Sequence, residues 1–259
     1  MTTAQHLAGI VPSLALFAYF FAGVAVYALV RHRVVTDQEF RSRPRSAFVS
    51  SFLVEYYGWT LRPIERVLVR LRLSPDAITV IGLVMSLLAG AAFALGSFSA
   101  GGWLYLGTGT LDILDGRVAR LTGRQTRTGA LFDSVVDRYS EYFVFAGLLI
   151  YYRDRVWLML VTLIALLGSF MVSYVRARGE GLGVDAKVGS MQRPERILYL
   201  GVASAVSPVL TAIYAPGDPR PTQHLAVATL ALLAVSANWT ALRRFALIRA
   251  DLGGRASQP

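Results

Sequence analysis

The chain has 259 residues, 54% of them hydrophobic and only 16% charged, with a mean hydropathy of +0.50; this excludes an ordinary soluble domain and predicts a single polytopic membrane domain. It contains no cysteine, which excludes disulfides and thiolate metal sites, and His6, His32 and His224 are too scattered to form a metal cluster. The net charge of +10 is carried by arginine, with Lys187 the only lysine, and in so apolar a chain it reads as topology and affinity for anionic lipid rather than nucleic-acid binding.

Apolar stretches occupy 8–30, 76–97, 102–121, 129–152, 156–176, 196–215 and 223–242. Each matches or approaches the roughly 20 residues a helix needs to cross the hydrocarbon core. The first is followed, not preceded, by basic residues and reads as an uncleaved anchor. Residues 1–45 are therefore read as anchor plus basic linker, 46–250 as the membrane domain and 251–259 as a flexible tail. Residues 46–73 are rich in Trp, Tyr and Arg, and Arg62, Arg66 and Arg70 recur every fourth position between apolar residues. That pattern predicts a helix lying in the membrane interface. Ser74 and Pro75 then supply an N-cap and a first helical residue. The predicted fold is all-α: a six-helix transmembrane core, an interfacial amphipathic helix and an extra N-terminal transmembrane helix.

Charge asymmetry orients this arrangement. With 31–74 in the cytoplasm, the turn at 122–128, the loop at 177–195 and the segment after 242 share that side. They carry Arg124, Arg127, Arg178, Lys187, Arg193, Arg196, Arg243, Arg244 and Arg249, against Arg153, Arg155 and Arg220 opposite. The N-terminus is expected outside, in a bacterial inner (plasma) membrane.

The chemistry concentrates in four carboxylates. Asp112, Asp115, Gly116, Ala119 and Arg120 fall on one helix face, and Gly129, Asp133 and Asp137 on one face of the next. A charge at bilayer depth costs at least ~2.5 kcal/mol and persists mainly where it faces a functional polar cavity. Four charges of one sign cannot pair with each other, so they call for cations. Two antiparallel helices joined by the polar turn at 122–128 can bring them together, and the small residues Gly116, Ala119 and Gly129 allow close approach. Oxygen-only ligands suit two hard divalent ions, Mg2+ or Mn2+. Such a pair clamps a diphosphate for in-line displacement. The plain alternative, two helices with solvated acidic faces, conflicts with the apolar flanks.

The spacing D-x2-D-G-x2-A-R-x8-G-x3-D-x3-D over residues 112–137 resembles the signature of the CDP-alcohol phosphotransferase family, and the hydropathy resembles that family from about 60 to 246. The resemblance implies a homodimer and a CDP-linked lipid, CDP-diacylglycerol, that loses CMP. It implies metal ligation by Asp112, Asp115 and Asp133, nucleotide-phosphate contact by Arg120, and close backbone approach to nucleotide or a neighbouring helix at Gly116 and Gly129. It makes Asp137 the base that deprotonates the incoming hydroxyl, with a further contact to the second metal. Ser74-Pro75-Asp76-Ala77-Ile78-Thr79 also resembles a family segment, which implies cytidine contacts from Asp76 and Thr79. An ordinary helix start, with Asp76 favoured by the helix dipole, is the equal alternative.

The acceptor is read from the basic loop. Arg176, Arg178, Lys187, Arg193 and Arg196 lie where an acceptor must enter, and with Ser173 they can form an anion pocket for a phosphorylated polyol. Positive-inside bias alone is the alternative. The run from Ser173 to Arg178 with Arg193-Pro194-Glu195-Arg196 resembles the bacterial phosphatidylinositol-phosphate synthase branch of the family. This implies inositol 1-phosphate as acceptor, with Ser173, Arg193 and Arg196 as phosphate contacts. Arg176 stands where that branch often has lysine, and the N-terminal span is an addition to its core. Glycerol 3-phosphate or a free alcohol remain alternative acceptors. An ion-coupled transporter is the reading from another class, disfavoured because the acids gather toward one membrane face rather than the midplane.

Overall fold

A computed structural model describes residues 15, 18, 20–30, 51–186, 188–189, 191–214, 218 and 220–256. The described residues form eight helices and no strand. They are α1 (Phe20–Val30), α2 (Ser51–Arg70), α3 (Pro75–Ala94), α4 (Phe98–Leu121), α5 (Arg127–Tyr151), α6 (Val156–Gly181), α7 (Arg193–Tyr214) and α8 (His224–Ala256). The all-α membrane architecture agrees with the sequence reading. Most of the predicted anchor before α1, the basic linker, Lys187 and residues 257–259 lie outside the described residues. Residues 251–256, read as tail from the sequence, continue α8.

Local chemistry sets the helix ends. Ser74 Oγ accepts the Ala77 N–H at 3.2 Å, and Pro75 opens α3 behind it. The chain leaves α2 through a Schellman turn: Leu73 N–H bonds Leu68 O at 3.2 Å, and Arg72 takes a φ of 54°. Leu73 tucks against a buried cluster of Leu61, Ile78, Leu114 and Val118, which offsets the strain of a non-glycine residue in that conformation. The turn between α4 and α5 repeats the motif with Gly123 at φ 66° and Arg124 N–H bonded to Ala119 O at 2.9 Å. Thr126 Oγ1 then accepts the Gly129 N–H at 2.9 Å and caps α5. Both signature helices thus end or begin on capped turns, which fixes the axial position of their carboxylates.

Among the described residues four helices are long and apolar enough to cross a membrane: α3, α6, α7 and, over His224–Gly254, α8. The protein is an integral membrane protein. α4 and α5 also cover stretches expected to span, but their signature halves carry the acids and arginines and keep them outside this group. α1 is shorter over its described residues.

The chain divides into two compact units, residues 1–81 with 110–133 and residues 82–109 with 134–259, and the boundaries fall inside α3, α4 and α5. In the first unit α2 lies along the signature half of α4. Tyr57 and Thr110 share a 2.7 Å hydrogen bond, and Arg117 Nη2 donates to Glu65 Oε2 at 3.1 Å in a buried ion pair. α2 also exposes Ile64 and Val67 beside Arg66 and Arg70, with Leu71 exposed just after it, as an interfacial helix should. The aromatic residues Tyr27, Phe52, Tyr56 and Trp59 join α1 to α2.

The second unit is built on a core that includes Phe93, Phe98, Tyr105, Phe145, Leu148, Leu200 and Leu230. Glycine permits its closest crossings. A Cβ at Gly147 would collide with the Gly90 carbonyl, where α3 crosses α5, and one at Gly102 would meet α7 backbone at Gly201 and Ala205. Exposed Leu87, Leu88, Leu163, Leu167, Leu232 and Leu242 give α3, α6 and α8 apolar outer faces, a liability in water and the natural surface in lipid. Arg153, Arg155 and Arg220 gather at one end of this unit, where Arg220 pairs with Asp154 at 2.8 Å and Arg155 donates to Thr222 Oγ1 at 2.6 Å.

Candidate active site

Within the first unit, Asp112 on α4 and Asp133 on α5 bring carboxylate oxygens within 4.8 Å of each other; Asp137 lies one turn further along α5, in the second unit. All three are half-buried. These donors are hard oxygens without sulfur or imidazole, and they fit Mg2+ or Mn2+ rather than a zinc-type set.

Asp115 is placed differently. It is only 5% exposed, and its carboxylate accepts the Thr79 hydroxyl at 2.6 Å and the Gly116 N–H at 2.5 Å. Thr79, expected at the cytidine, is buried and directs its hydroxyl at this aspartate. Asp76 is exposed at the start of α3, and its Oδ1 lies 3.7 Å from where a Gly129 Cβ would be. The two family-like segments therefore meet in the first unit. Gly116 does not serve helix packing, because a Cβ there would meet only the Arg120 guanidinium at 3.4 Å. Gly116 is half-buried and Arg120 is exposed.

The acceptor-side residues belong to the second unit. Arg193 Nη2 lies 2.8 Å from Asp137 Oδ1, and Arg138 Nη1 lies 3.7 Å from the other oxygen. The residue expected to act as base thus sits among cations. Arg176 is partly exposed and pairs with Glu180 at 2.9 Å, and Ser173 donates to Ser169 O at 3.4 Å. Arg196 departs from the expected open pocket. It is 1% exposed, its Nε and Nη2 meet the two oxygens of Glu141 at 2.9 and 3.1 Å, and its Nη1 donates to Met191 O at 3.3 Å.

The sequence reading passed over the roles of four residues. Glu141 sits in an apolar stretch with no motif to mark it, Glu65 lies in the amphipathic segment 46–73, and Arg117 occupies an unspecified position of the signature. Arg244 was read as a topology charge. It is buried, donating to Val172 O and Val188 O at 2.8 Å each, and so ties the loop after α6 to α8 beside Ser173.

Comparison with known proteins places these features in context. The family model for CDP-alcohol phosphatidyltransferase matches residues 72–248. A phosphatidylinositol phosphate synthase of Mycobacterium marinum is 37% identical over 177 residues, covering 65% of this chain and 74% of that protein. The crystal structure of Mycobacterium tuberculosis phosphatidylinositol phosphate synthase with CDP-DAG bound superposes with a TM-score of 0.62 at 33% identity, over 72% of this chain and 92% of that one. The same enzyme in complex with manganese and citrate gives a TM-score of 0.63 at 32% identity, over 72% of this chain and 88% of that one.

Proposed function

The chain belongs to the CDP-alcohol phosphatidyltransferase family, and from that premise we propose that it transfers the phosphatidyl group of CDP-diacylglycerol to a hydroxyl of inositol 1-phosphate and releases CMP. It is a membrane-bound transferase of phospholipid biosynthesis. The observation that favours a phosphorylated acceptor over a free alcohol is the 2.8 Å approach of Arg193 to Asp137, and the phosphatidylinositol phosphate synthases among the relatives favour inositol 1-phosphate. A phosphorylated polyol presents an anion and a hydroxyl on one small molecule, and this pair offers a cation and a base side by side. A free alcohol has no use for the cation.

In this reading Asp112, Asp115, Asp133 and Asp137 hold two divalent ions, with Asp115 oriented by Thr79. When bound, the ions neutralise diphosphate charge and stabilise the attacking and leaving oxygens. Arg120, Gly116, Gly129 and Asp76 line the CDP-lipid side with Thr79 behind them acting through Asp115, and Ser173, Arg176 and Arg193 face the acceptor phosphate with Arg196 behind them. Asp137 takes the acceptor's hydroxyl proton, the oxygen bonds the phosphatidyl phosphorus, and the bond to CMP breaks. An aspartate is a weak base near neutral pH, and it serves because the proton leaves as the new bond forms. The charge asymmetry of the loops supports a cytoplasmic site.

The test is CMP release by purified protein with CDP-diacylglycerol and Mg2+, comparing inositol 1-phosphate, glycerol 3-phosphate, free inositol and serine. Release with inositol 1-phosphate is expected to exceed that with glycerol 3-phosphate, and to exceed that with free inositol or serine by at least about tenfold, since losing a charge-assisted contact costs that much or more. Preference for glycerol 3-phosphate would replace the acceptor and keep the chemistry. Equal activity with free inositol or serine would remove the arginines from the acceptor site.

A further inference from the structure

We propose that Glu141 is a positioning residue for the acceptor, holding the start of α7 so that Arg193 stands beside Asp137; the proposal rests on the acceptor reading above. Asp137 and Glu141 lie one turn apart on α5. Arg193 and Arg196 lie about one turn apart at the start of α7. The two helices therefore meet through two ion pairs stacked like rungs.

The rungs differ in burial. The side chains of Arg196 and Glu141 are 1% and 4% exposed, whereas those of Arg193 and Asp137 are 16% and 15% exposed. The inner pair is bidentate, with both carboxylate oxygens engaged, so it fixes angle as well as distance. Water cannot replace either partner there, so α7 cannot shift without stranding a buried charge. Arg196 also reaches back to the Met191 carbonyl, which ties the segment entering α7 to the same point. The outer pair is the one a ligand can reach.

Glu141 is thus buried behind the site and works through register. Arg193 rises from the turn that Glu141 holds, and a displacement of about 1 Å in a reacting constellation can cost about a hundredfold.

The experiment uses full-length protein in lipid nanodiscs, assayed by CMP release with CDP-diacylglycerol and inositol 1-phosphate. Glu141→Gln keeps the shape and removes the charge. Glu141→Leu combined with Arg196→Leu removes both charges together, which buried pairs tolerate far better than loss of one partner. In either variant the acceptor KM is expected to rise about tenfold or more while the CDP-diacylglycerol KM stays within about twofold. Glu141→Asp is expected to recover part of the loss. An unchanged acceptor KM in either folded variant, or a parallel rise of both KM values, overturns the proposal, since a merely structural role moves both. Wild-type protein that releases CMP with no phosphorylated acceptor overturns the acceptor reading, and this proposal with it, before any variant is compared.

Discussion

Asp137→Asn lowers kcat by about a thousandfold or more, within the range for loss of a general base, while CDP-diacylglycerol still binds. Asparagine keeps the size of the side chain and can still accept a hydrogen bond from Arg193, so the junction of α5 with α7 survives. What it cannot do is take the acceptor's proton. Steady-state CMP release measures the first effect and calorimetric binding of CDP-diacylglycerol the second. Preserved turnover would move the base elsewhere, and loss of lipid binding in step with turnover would make Asp137 mainly a binding residue.

The second large effect concerns Asp112, which has a carboxylate oxygen within 4.8 Å of one of Asp133 in the first unit. Asp112→Asn removes one negative charge from a site that must hold divalent cations. Loss of an outer-shell partner alone typically costs about ten- to a hundredfold in metal affinity, so loss of a ligand is expected to cost at least about a hundredfold. Mn2+ titration followed by electron paramagnetic resonance gives a readout independent of turnover. Asp154→Asn is the control, an exposed carboxylate paired with Arg220 outside the site, and its Mn2+ affinity is expected to match that of the unaltered protein. Equal affinity in the Asp112 variant would take Asp112 out of the metal set.

The signature was legible because its chemistry is local. Fixed gaps of three and four place side chains on one helix face whatever surrounds them, and Ser74-Pro75 and Gly123 carry their turn geometry in their own backbones. The helical architecture followed from apolar runs in the same way. The buried ion pairs were hidden for the opposite reason. Glu65 and Arg117 are 52 residues apart in sequence, and Glu141 and Arg196 are 55 apart, so no periodicity links them. Arg244 looked like a topology charge and Arg196 like a contact in an open anion pocket, because a basic residue near a helix end does not reveal whether it turns outward or inward. Close approach was assigned to glycines at the site, yet the tight crossings fall at Gly90 with Gly147 and Gly102 with Gly201. A glycine's role depends on the helix opposite, which one chain segment does not specify.

The central chemical claim is that the acceptor's own oxygen attacks the phosphatidyl phosphorus. Its most direct test is mass spectrometry of the lipid formed from CDP-diacylglycerol and inositol 1-phosphate labelled with heavy oxygen in the ring hydroxyls. The label is predicted to appear in the bridging position of the new phosphodiester, with unlabelled CMP released in equal amount. A lipid product without label in that bridge, or phosphatidic acid with CMP in its place, would contradict it.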